Sequence, residues 1–536
     1  MRHHFRRAEA LQLAAVAAVA LVLRVGLLER QGLWADEVFS LAIATGHSLE
    51  HAAVDADAAL GDFVEGPLPL EPGEYVRYVS HEEPPAGVGR VLRAVRLSDT
   101  SPPLYYLLLY LWTRAAGVGD ASVRGFTLFW AIASLPLLWW LAARVGGRRA
   151  SLPAALLFAA APLSVYYSTE ARMYSLLWFW VLATACLTLV LRARGSAVLL
   201  AAWALASAGG FLTHYFFAFV WIAMSSWLLW QPGRSSRPRV LLAAVLVAVA
   251  VLPWYLTLPQ ALGRWRVTGD WLEMTPSGYS AARAPFALAL GFVSGRGVWG
   301  GGPRADWAAA GLGALAGAAL AWTLGRRAFA GRLRLAWMWL AAACLGPLVF
   351  DALRGTYTAA VPRYALAGLP AALVLIAAAV ARLPAPLRVS FVALALAAWS
   401  PGLWYIHASR SRNGCPLREV ARQVGSKAGP SDLLLVHSIP SGVVGVARYL
   451  NRPVPMASWV GQLGVRRVPE SVESLTAGRE RVFLVLVHTV GEPAPQEAYL
   501  RQRAAVSNDG RRQTARIVEF DLRKDPLGTE PAGGSR

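Results

Sequence analysis

Long runs of apolar residues without a charge are the feature that most limits what this chain can fold into. The runs from Ser151 to Tyr167 and from Val240 to Leu258 contain no charged residue. About 20 helical residues cross the hydrocarbon core of a bilayer, and a helix satisfies its own backbone hydrogen bonds there. Since 56% of the 536 residues are hydrophobic and only 16% are charged, we expect a chain that crosses the membrane many times.

The placement of charge decides between a membrane protein and a nucleic-acid-binding protein. The net charge of +20 could attract nucleic acid, but the arginines gather in short segments between apolar runs, at 2–7, 144–149, 192–194, 234–239, 326–334 and 382–388. This pattern is typical of cytoplasmic loops. The segment from Glu29 to Asp99 has thirteen Asp or Glu and five Arg, which predicts a loop on the outer side.

Alternation between the two sides then predicts the topology. We expect about eleven spans, near 9–28, 122–143, 151–167, 174–191, 197–213, 215–230, 240–258, 307–325, 335–350, 364–381 and 387–405. This arrangement puts the N-terminus in the cytoplasm and the C-terminus outside a plasma (inner) membrane. The first apolar run follows a basic start, but no small-residue cleavage site comes after it, so we interpret it as a retained helix.

Two further apolar segments, Pro102–Trp112 and Pro285–Val293, are too short or too interrupted to span. We expect them to form helices at the outer interface, where Tyr105, Tyr106 and Trp112 would be stable. A genuine span over 102–118 is the alternative. It would move the arginines of 144–149 outside, against the charge rule.

The composition changes after Tyr405 to a mixed pattern typical of a soluble domain. Helical periodicity near 417–424 precedes the apolar run 433–436, and a similar pairing precedes 482–487, which predicts an α/β domain. The fold class expected is an all-α polytopic membrane protein with a small C-terminal extracytoplasmic α/β domain. We assign 1–405 to the membrane, with an outer loop at 29–100 and interfacial helices to about 118, 406–524 to the α/β domain, and 525–536 to a disordered tail.

Polar residues beside the apolar spans converge on the predicted outer face. They are Asp36, Glu37, Asp99, Glu170, Arg172, Tyr174, His214, Arg363 and Tyr364. Several ionisable groups at one depth indicate a water-filled site. Carboxylates beside arginines suit an acceptor hydroxyl and a phosphate, respectively.

Motifs at these positions resemble those of a known family over roughly the first 370 residues. They are Trp34-Ala-Asp36-Glu37, Asp99-Thr-Ser-Pro102-Pro103-Leu-Tyr105-Tyr106, Tyr166-Tyr-Ser-Thr-Glu170-Ala-Arg172-Met-Tyr174, Thr213-His214-Tyr215, and Pro362-Arg363-Tyr364 with Leu369-Pro370. In their order and spacing the chain resembles the C-type membrane glycosyltransferases. Within these it is similar to glycosyltransferase family 39, with its protein O-mannosyltransferases and lipid A aminoarabinose transferases.

The resemblance implies inverting transfer of a sugar, such as mannose or another hexose or pentose, from a polyprenyl phosphate to an acceptor hydroxyl. It implies a catalytic role for the Asp36-Glu37 pair, with Asp36 as the base that takes the acceptor proton. Arg172 and Arg363 are then the candidates for the charge on the departing phosphate. Relatives often carry His or Lys where this chain has Ser101, so a basic contact could be absent or come from elsewhere.

Each candidate also has a purely structural interpretation. The Asp36-Glu37 pair could be a solvated helix end, and Asp99 a cap on the helix that follows. Glu170 and Arg172 could form a surface ion pair with each other. His214 could be an ordinary interfacial histidine, and Arg363 a headgroup anchor.

Other functions and cofactors remain open at this stage. A transporter or flippase of a lipid-linked sugar would use the same arginines without a base, and it predicts ionisable residues or broken helices near the bilayer midplane. A sensory or structural membrane protein would not need Asp36. Asp36, Glu37 and Asp99 have the oxygen ligands that Mg²⁺ or Mn²⁺ prefers, but no ligand spacing demands a metal, so we expect none to be required. The partners expected are the polyprenyl-phosphate donor, a lipid, glycan or protein acceptor, and the bilayer, without nucleic acid.

Overall fold

A computed structural model describes residues 7–99, 101–231, 233, 236–269, 271–276, 279–294, 302–489 and 493–526. Eighteen helices precede the C-terminal domain in these ranges: α1 (Arg7–Val25), α2 (Ala35–Ala44), α3 (Pro72–Val76), α4 (Val88–Ser98), α5 (Leu104–Ala116), α6 (Asp120–Gly146), α7 (Ser151–Ala160), α8 (Pro162–Ser168), α9 (Tyr174–Arg194), α10 (Ala197–Phe211), α11 (Phe217–Trp230), α12 (Arg237–Tyr255), α13 (Leu258–Leu262), α14 (Ala284–Ser294), α15 (Gly302–Leu324), α16 (Gly331–Arg354), α17 (Leu369–Val380) and α18 (Ala385–Ala408). Short 3-10 helices occupy Ala53–Asp55, Ala58–Leu60, Arg77–Val79, Arg148–Ala150, Trp271–Glu273, Gly325–Arg327, Thr358–Ala360, Pro362–Gly368 and Gly461–Leu463.

Seven of the described helical segments are long and apolar enough to cross a membrane. They are α1, α6, α9, α12, α16, Pro362–Val380 and α18. The residues 148–160 and 162–168 add an eighth if the pair, which bends by 59°, is one span. Helices α10 and α11 are apolar but shorter. A multi-pass helical membrane protein is therefore confirmed, while the count of eleven spans and the sidedness of the termini stay predictions.

The bend between α7 and α8 follows from Pro162 and is stabilised by a buried arginine. Proline has no N–H to continue the helical ladder, so carbonyl groups of the preceding turn need other donors. Arg24 of α1 supplies them, donating from Nη1 to the carbonyl of Ala159 at 2.7 Å. Its Nε also donates to Ser168 Oγ at 2.6 Å. This buried cation ties α1 to the turn that leads toward Glu170.

The C-terminal domain is an α/β unit with one mixed sheet. Its elements are α19 (Leu417–Lys427), β1 (Leu433–His437), α20 (Pro440–Tyr449), β2 (Met456–Trp459), α21 (Glu470–Thr476), β3 (Arg481–Leu486), α22 (Pro495–Arg501), β4 (Ala505–Arg512) and β5 (Ala515–Asp521). The strand order is β2-β1-β3-β5-β4, with β1 parallel to β2 and β3 and β5 antiparallel to β3 and β4. The predicted α/β class is confirmed. The domain boundaries at 405 and 524 stay predictions, and 527–536 of the predicted tail lies outside the described residues.

The C-terminal domain is fastened to the helical part by an acidic residue whose side chain is only 8% exposed. Asp120, at the start of α6, accepts hydrogen bonds from Tyr449 at 2.7 Å and from Arg448 at 3.0 Å. Arg418 forms a further ion pair with the same carboxylate. Helix α20 also packs against α2 and α3, so the domain sits against the helix that carries Asp36.

The segments predicted as interfacial helices are helical, as α5 and α14. Tyr105 and Tyr106 are fully buried, however, because α5 packs between α2, α4 and α6. Their aromatic rings therefore belong to the protein core rather than to an exposed belt. The sequence does not distinguish these two environments, since tyrosine is stable in both.

Candidate active site

One large cavity brings together eight of the nine residues expected from the sequence. Its volume is about 1740 Å³. The expected residues that line it are Asp36, Asp99, Glu170, Arg172, Tyr174, His214, Arg363 and Tyr364. They come from the first turn of α2, the C-terminal ends of α4 and α10, the turn between α8 and α9, the start of α9, and the 3-10 helix before α17. The acidic segment and the turn at 170–172 therefore share one cavity.

Asp36 lies in the first turn of α2, with its carboxylate in the cavity. Its Oδ2 accepts a hydrogen bond from Arg363 Nη1 at 3.0 Å. No hydrogen bond to Oδ1 forms within the described part of the chain. The side chain keeps 28% of its surface exposed. Asp36 is thus held in place through one oxygen, and its other oxygen can accept a proton.

Glu37 is the one expected residue that the structure places away from the cavity. It is fully buried, and Arg124 of α6 binds both its oxygens, from Nε at 2.8 Å and from Nη2 at 2.6 Å. The backbone N–H groups of Ala171 and Trp34 donate to the same carboxylate at 2.8 and 3.1 Å. Burial would raise the pKa of Glu37, but the charge and hydrogen bonds of Arg124 outweigh it and lower the pKa.

These contacts give Glu37 a structural position rather than a place beside a substrate. Consecutive residues of a helix point about 100° apart, so Asp36 and Glu37 cannot face the same side of α2. Glu37 instead joins the start of α2 to α6 and to the turn that carries Arg172. We therefore assign it to positioning, in place of the catalytic role expected from the sequence.

Arg172 and Asp99 form a second charged pair in the cavity. Arg172 Nη1 lies 3.3 Å from Asp99 Oδ2 and donates to Ser40 Oγ at 3.1 Å. The hydroxyl of Tyr106 also donates to Asp99. Burial would raise the pKa of Asp99, but the neighbouring Arg172 lowers it. The guanidinium Nε of Arg172 is buried and has no hydrogen-bond partner among the described residues.

Glu170, two residues before Arg172, is almost completely buried. Its Oε1 accepts a hydrogen bond from Trp34 Nε1 at 3.0 Å. Its Oε2 has no hydrogen-bond partner in the described ranges and lies 4.0 Å from Arg412 Nη1. Burial raises the pKa of Glu170 to about 7, because the charge of Arg412 offsets the lost hydration only in part.

Aromatic rings form the wall between the two arginines. Tyr174 packs edge-on against Tyr167, with ring centroids 5.0 Å apart, and His214 lies 6.3 Å from Tyr174 and 6.4 Å from Tyr364. His214 Nδ1 accepts a hydrogen bond from the backbone N–H of Phe216 at 3.1 Å. Burial lowers the pKa of His214 to about 4. The ring is therefore neutral at pH 7 with its proton on Nε2, which makes His214 a donor without charge.

The structural interpretations considered from the sequence for Glu170, Arg172, Asp99 and Arg363 do not describe what these side chains contact. Glu170 and Arg172 share only a backbone hydrogen bond, and each side chain has other partners. Asp99 ends α4 and accepts the backbone N–H of Ser101 at 2.9 Å, whereas α5 begins at Leu104 without a side-chain cap. Arg363 is bonded to Asp36 and stacks over Trp271 at 5.1 Å, so it is not a free headgroup anchor.

Sequence reasoning missed part of the lining. Arg266 and Arg354 add two cations to the cavity, and Trp271 adds an aromatic face. The C-terminal domain also reaches the cavity, through Asn413, His488 and Gln513 among others. Charge counting marked the short arginine clusters as cytoplasmic, and the isolated Arg266 and Arg354 carried no motif that would have separated them from ordinary loop arginines.

No cluster of three or more His, Cys, Asp or Glu suited to a metal ion occurs among the described residues. Asp36 and Asp99 each face an arginine instead of another carboxylate. The absence of a metal requirement remains a prediction, which removal of divalent ions from the active protein can test.

Comparison with known proteins shows which fold the chain shares with solved structures and which family part of its sequence matches. Residues 100–256 match the family described as dolichyl-phosphate-mannose-protein mannosyltransferase. This stretch contains Arg172 and His214 but neither Asp36 nor Arg363. ArnT from Cupriavidus metallidurans bound to undecaprenyl phosphate matches with a TM-score of 0.55 and 15% identity, over 94% of this chain and 97% of that chain.

The chain has the ArnT fold. The apo form of the same ArnT matches with a TM-score of 0.53 and 15% identity, over 98% of this chain and 100% of that one. The expected resemblance to C-type membrane glycosyltransferases is thereby confirmed. Archaeal oligosaccharyltransferase AglB from Archaeoglobus fulgidus reaches a TM-score of 0.43 at 13% identity, over 88% of this chain and 69% of that chain, a likeness too low to support an argument. No curated protein sequence matches the chain.

Proposed function

We propose that this protein is an inverting glycosyltransferase that moves a sugar from a polyprenyl phosphate to an acceptor hydroxyl. The observation that carries the proposal is the single cavity in which a partly exposed carboxylate, Asp36, lies beside two arginines that suit a phosphate. ArnT, which has the same fold, was solved with undecaprenyl phosphate bound, and the matched family is named for a dolichyl-phosphate-mannose donor. Both names support a lipid-phosphate sugar donor here.

Asp36 is the proposed base. In a single displacement the acceptor oxygen attacks C1 of the sugar, the bond from C1 to the phosphate oxygen breaks, and its electron pair leaves with the phosphate. The acceptor proton goes to the Asp36 carboxylate. Arg363 holds Asp36 Oδ2, and this contact keeps the carboxylate oriented while its second oxygen meets the acceptor.

Arg172 and Arg363 are the proposed donors to the departing phosphate. A polyprenyl phosphate is already a stable anion, so it needs fixed positive charge rather than a general acid, unlike the leaving group of an ordinary glycoside. Each guanidinium is held by a carboxylate, Asp99 or Asp36, which orients its remaining N–H groups. The neutral His214 could add a hydrogen bond without adding charge.

The proposed location is the outer face of a plasma membrane, with the N-terminus in the cytoplasm. The acidic loop 29–100 and the C-terminal domain would then both lie outside. Single cysteines introduced at exposed positions of the two regions, such as Ala59 and Ser426, should react with a membrane-impermeant maleimide in intact cells. Labelling of either one only after permeabilisation would contradict the proposed topology.

The central test is transfer by the purified protein from radiolabelled polyprenyl-phosphate mannose to a panel of acceptors. Transfer should release the polyprenyl phosphate and invert the configuration at C1, which NMR of the product checks. A flippase, the alternative considered from the sequence, would move the labelled lipid across proteoliposome membranes and leave the sugar-phosphate bond intact. Movement of intact donor without any cleavage would reject the transferase proposal in favour of the flippase.

A further inference from the structure

The backbone of the cavity wall shows an unusual concentration of left-handed residues. Among the described residues, three that are not glycine have a positive φ: Asn413 at 51°, His488 at 51° and Gln513 at 53°. All three line the cavity that holds Asp36. Asn413 and Gln513 each lie in a two-residue hairpin turn, between the paired residues Arg412 and Cys415 and between Arg512 and Ala515, and such turns use a positive φ at their central residues.

These residues come from three separate parts of the C-terminal domain. Asn413 lies in the connection between α18 and α19, His488 follows β3, and Gln513 is in the turn between β4 and β5. Local sequence cannot account for their meeting at one wall. The fold of the domain brings three distant turns to the mouth of the helical cavity, so the cavity is completed by the C-terminal domain.

The lining of the cavity has two parts that differ in charge, which we call the charged side and the neutral side. Its charged lining residues within the described ranges are Asp36, Asp99, Glu170, Arg172, Arg266, Glu273, Arg354 and Arg363, and all precede residue 364. The residues after 405 that line it are Ile406, Ser409, Ser411, Asn413, Gly414, Ile439, His488 and Gln513. Burial lowers the pKa of His488, so this side is neutral at pH 7 and rich in hydrogen-bonding groups.

The amide groups of this neutral side are oriented by hydroxyl groups. Tyr166 donates its hydroxyl to Asn413 Oδ1 at 2.6 Å, and Ser411 donates to Gln513 Oε1. Each amide oxygen is thus occupied, which leaves the NH₂ ends to donate to a bound molecule. Neutral donors suit hydroxyl oxygens, whereas an anionic or cationic group would need a charged partner to offset its lost hydration.

We propose that Asn413, His488 and Gln513 form the acceptor subsite, and that the acceptor is an uncharged, hydroxyl-rich group, that is, a saccharide. This inference rests on the proposed transferase function, since it assigns the second substrate of the same site. The charged side holds the lipid phosphate, and the neutral side holds the saccharide whose hydroxyl faces Asp36. Donor and acceptor then enter from the helical domain and the C-terminal domain, respectively.

The test uses Asn413→Gly and Gln513→Gly, separately and together. Glycine adopts a positive φ without strain, so each change removes the amide and keeps the backbone shape. Each lost neutral hydrogen bond should raise the acceptor KM about fivefold, with the donor KM unchanged. Asn451→Gly removes an exposed amide of the same domain outside the cavity and should leave both constants unchanged.

The acceptor panel for these variants contains a neutral oligosaccharide, a serine-containing peptide and a phosphorylated glycolipid. Wild-type transfer to the oligosaccharide, with the KM pattern above, supports the subsite. An unchanged acceptor KM or a raised donor KM in the double variant would overturn the subsite while transfer by the wild type preserves the proposed function. Transfer only to the peptide or to the phosphorylated lipid would overturn the saccharide assignment. Failure of the wild type to transfer to any acceptor would remove both proposals together.

Discussion

The substitution Glu37→Gln separates a structural carboxylate from a catalytic one. Glu37 and Arg124 are both fully buried, with 0% of either side chain exposed, and Glu37 accepts four hydrogen bonds. Glutamine keeps the shape but removes the charge that balances Arg124. Breaking a buried ion pair by removing one partner costs about 3–5 kcal/mol, because the remaining charge is left without compensation.

The free energy of unfolding can be measured by titrating the purified protein with SDS in mixed micelles. Asp36→Asn is the matched control, since Asp36 is adjacent but keeps 28% of its side chain exposed, so the charge left on Arg363 can be hydrated and the loss should be well below that of Glu37→Gln. The double change Glu37→Leu with Arg124→Met should recover only part of the loss, because it removes both buried charges but leaves unpaired the backbone groups that bond to them. Equal stability of Glu37→Gln and wild type, together with a large loss of kcat, would show that Glu37 is catalytic and refute this assignment.

Three further substitutions and one treatment test other parts of the molecule. Arg172→Ala should lower kcat on the order of 100-fold in the transfer assay. Arg148→Ala breaks only an exposed pair with Glu9 and should leave kcat near that of wild type. Equal rates for both variants would exclude phosphate stabilisation by Arg172. Burial raises the pKa of Glu170 from 4.5 to about 7, so between these pH values the folded state binds more protons than the unfolded state. The wild type should therefore lose stability relative to Glu170→Gln as pH rises from about 4.5 to about 7. An equal difference in stability between the two proteins at pH 5 and at pH 7.5 would contradict the shift. Asp120→Asn should loosen the C-terminal domain from α6 and speed proteolysis between α18 and α19, and an unchanged cleavage rate would show that Asp120 does not fasten the domain. Transfer activity should survive EDTA, and a loss that Mg²⁺ or Mn²⁺ restores would establish a metal requirement.

Topology reasoning from charge placed on one side of the membrane two residues that the structure brings into contact. Asp36 and Arg363 are 327 positions apart. Both were expected on the outer side, because each adjoins the predicted outer end of an apolar run. The same reasoning grouped Asp99, Glu170, Arg172 and His214 with them. Apolar runs and arginine clusters report which side of a membrane a residue occupies, and that information is sufficient to gather candidates.

The direction in which a side chain points was harder to predict than the side of the membrane on which it lies. The role of Glu37 depends on where α2 begins, and the residue that caps its start is Trp34 rather than one of the Ser, Thr, Asp or Asn residues that usually mark helix starts. The start of α2 therefore carried no usual signal. Had this boundary been known, Glu37 would have been recognised as the third residue of the helix. A carboxylate at that position bonds back to the backbone N–H of the capping residue, as Glu37 does to Trp34.

Long-range packing concealed the contribution of the C-terminal domain. Asn413, His488 and Gln513 meet through the strand order of a mixed sheet and the docking of α20 on α2, and neither can be derived from local patterns. Arg412 is a similar case. It precedes the α/β elements in sequence, yet its guanidinium lies over Tyr166 at 4.5 Å and beside Glu170.

Single-turnover transfer by Asp36→Asn tests most directly whether the shared cavity deprotonates the acceptor. Labelled polyprenyl-phosphate mannose is bound in excess enzyme, acceptor is added, and the rate of transfer is compared with that of wild type and of Asp509→Asn. Asp509 is a fair control because it also pairs with an arginine, at 2.6 Å, with 34% of its side chain exposed, but outside the cavity. We predict donor binding within about threefold of wild type and a transfer rate lower by roughly 10²–10⁴ for Asp36→Asn alone; transfer at the wild-type rate would contradict the role of Asp36 as the base.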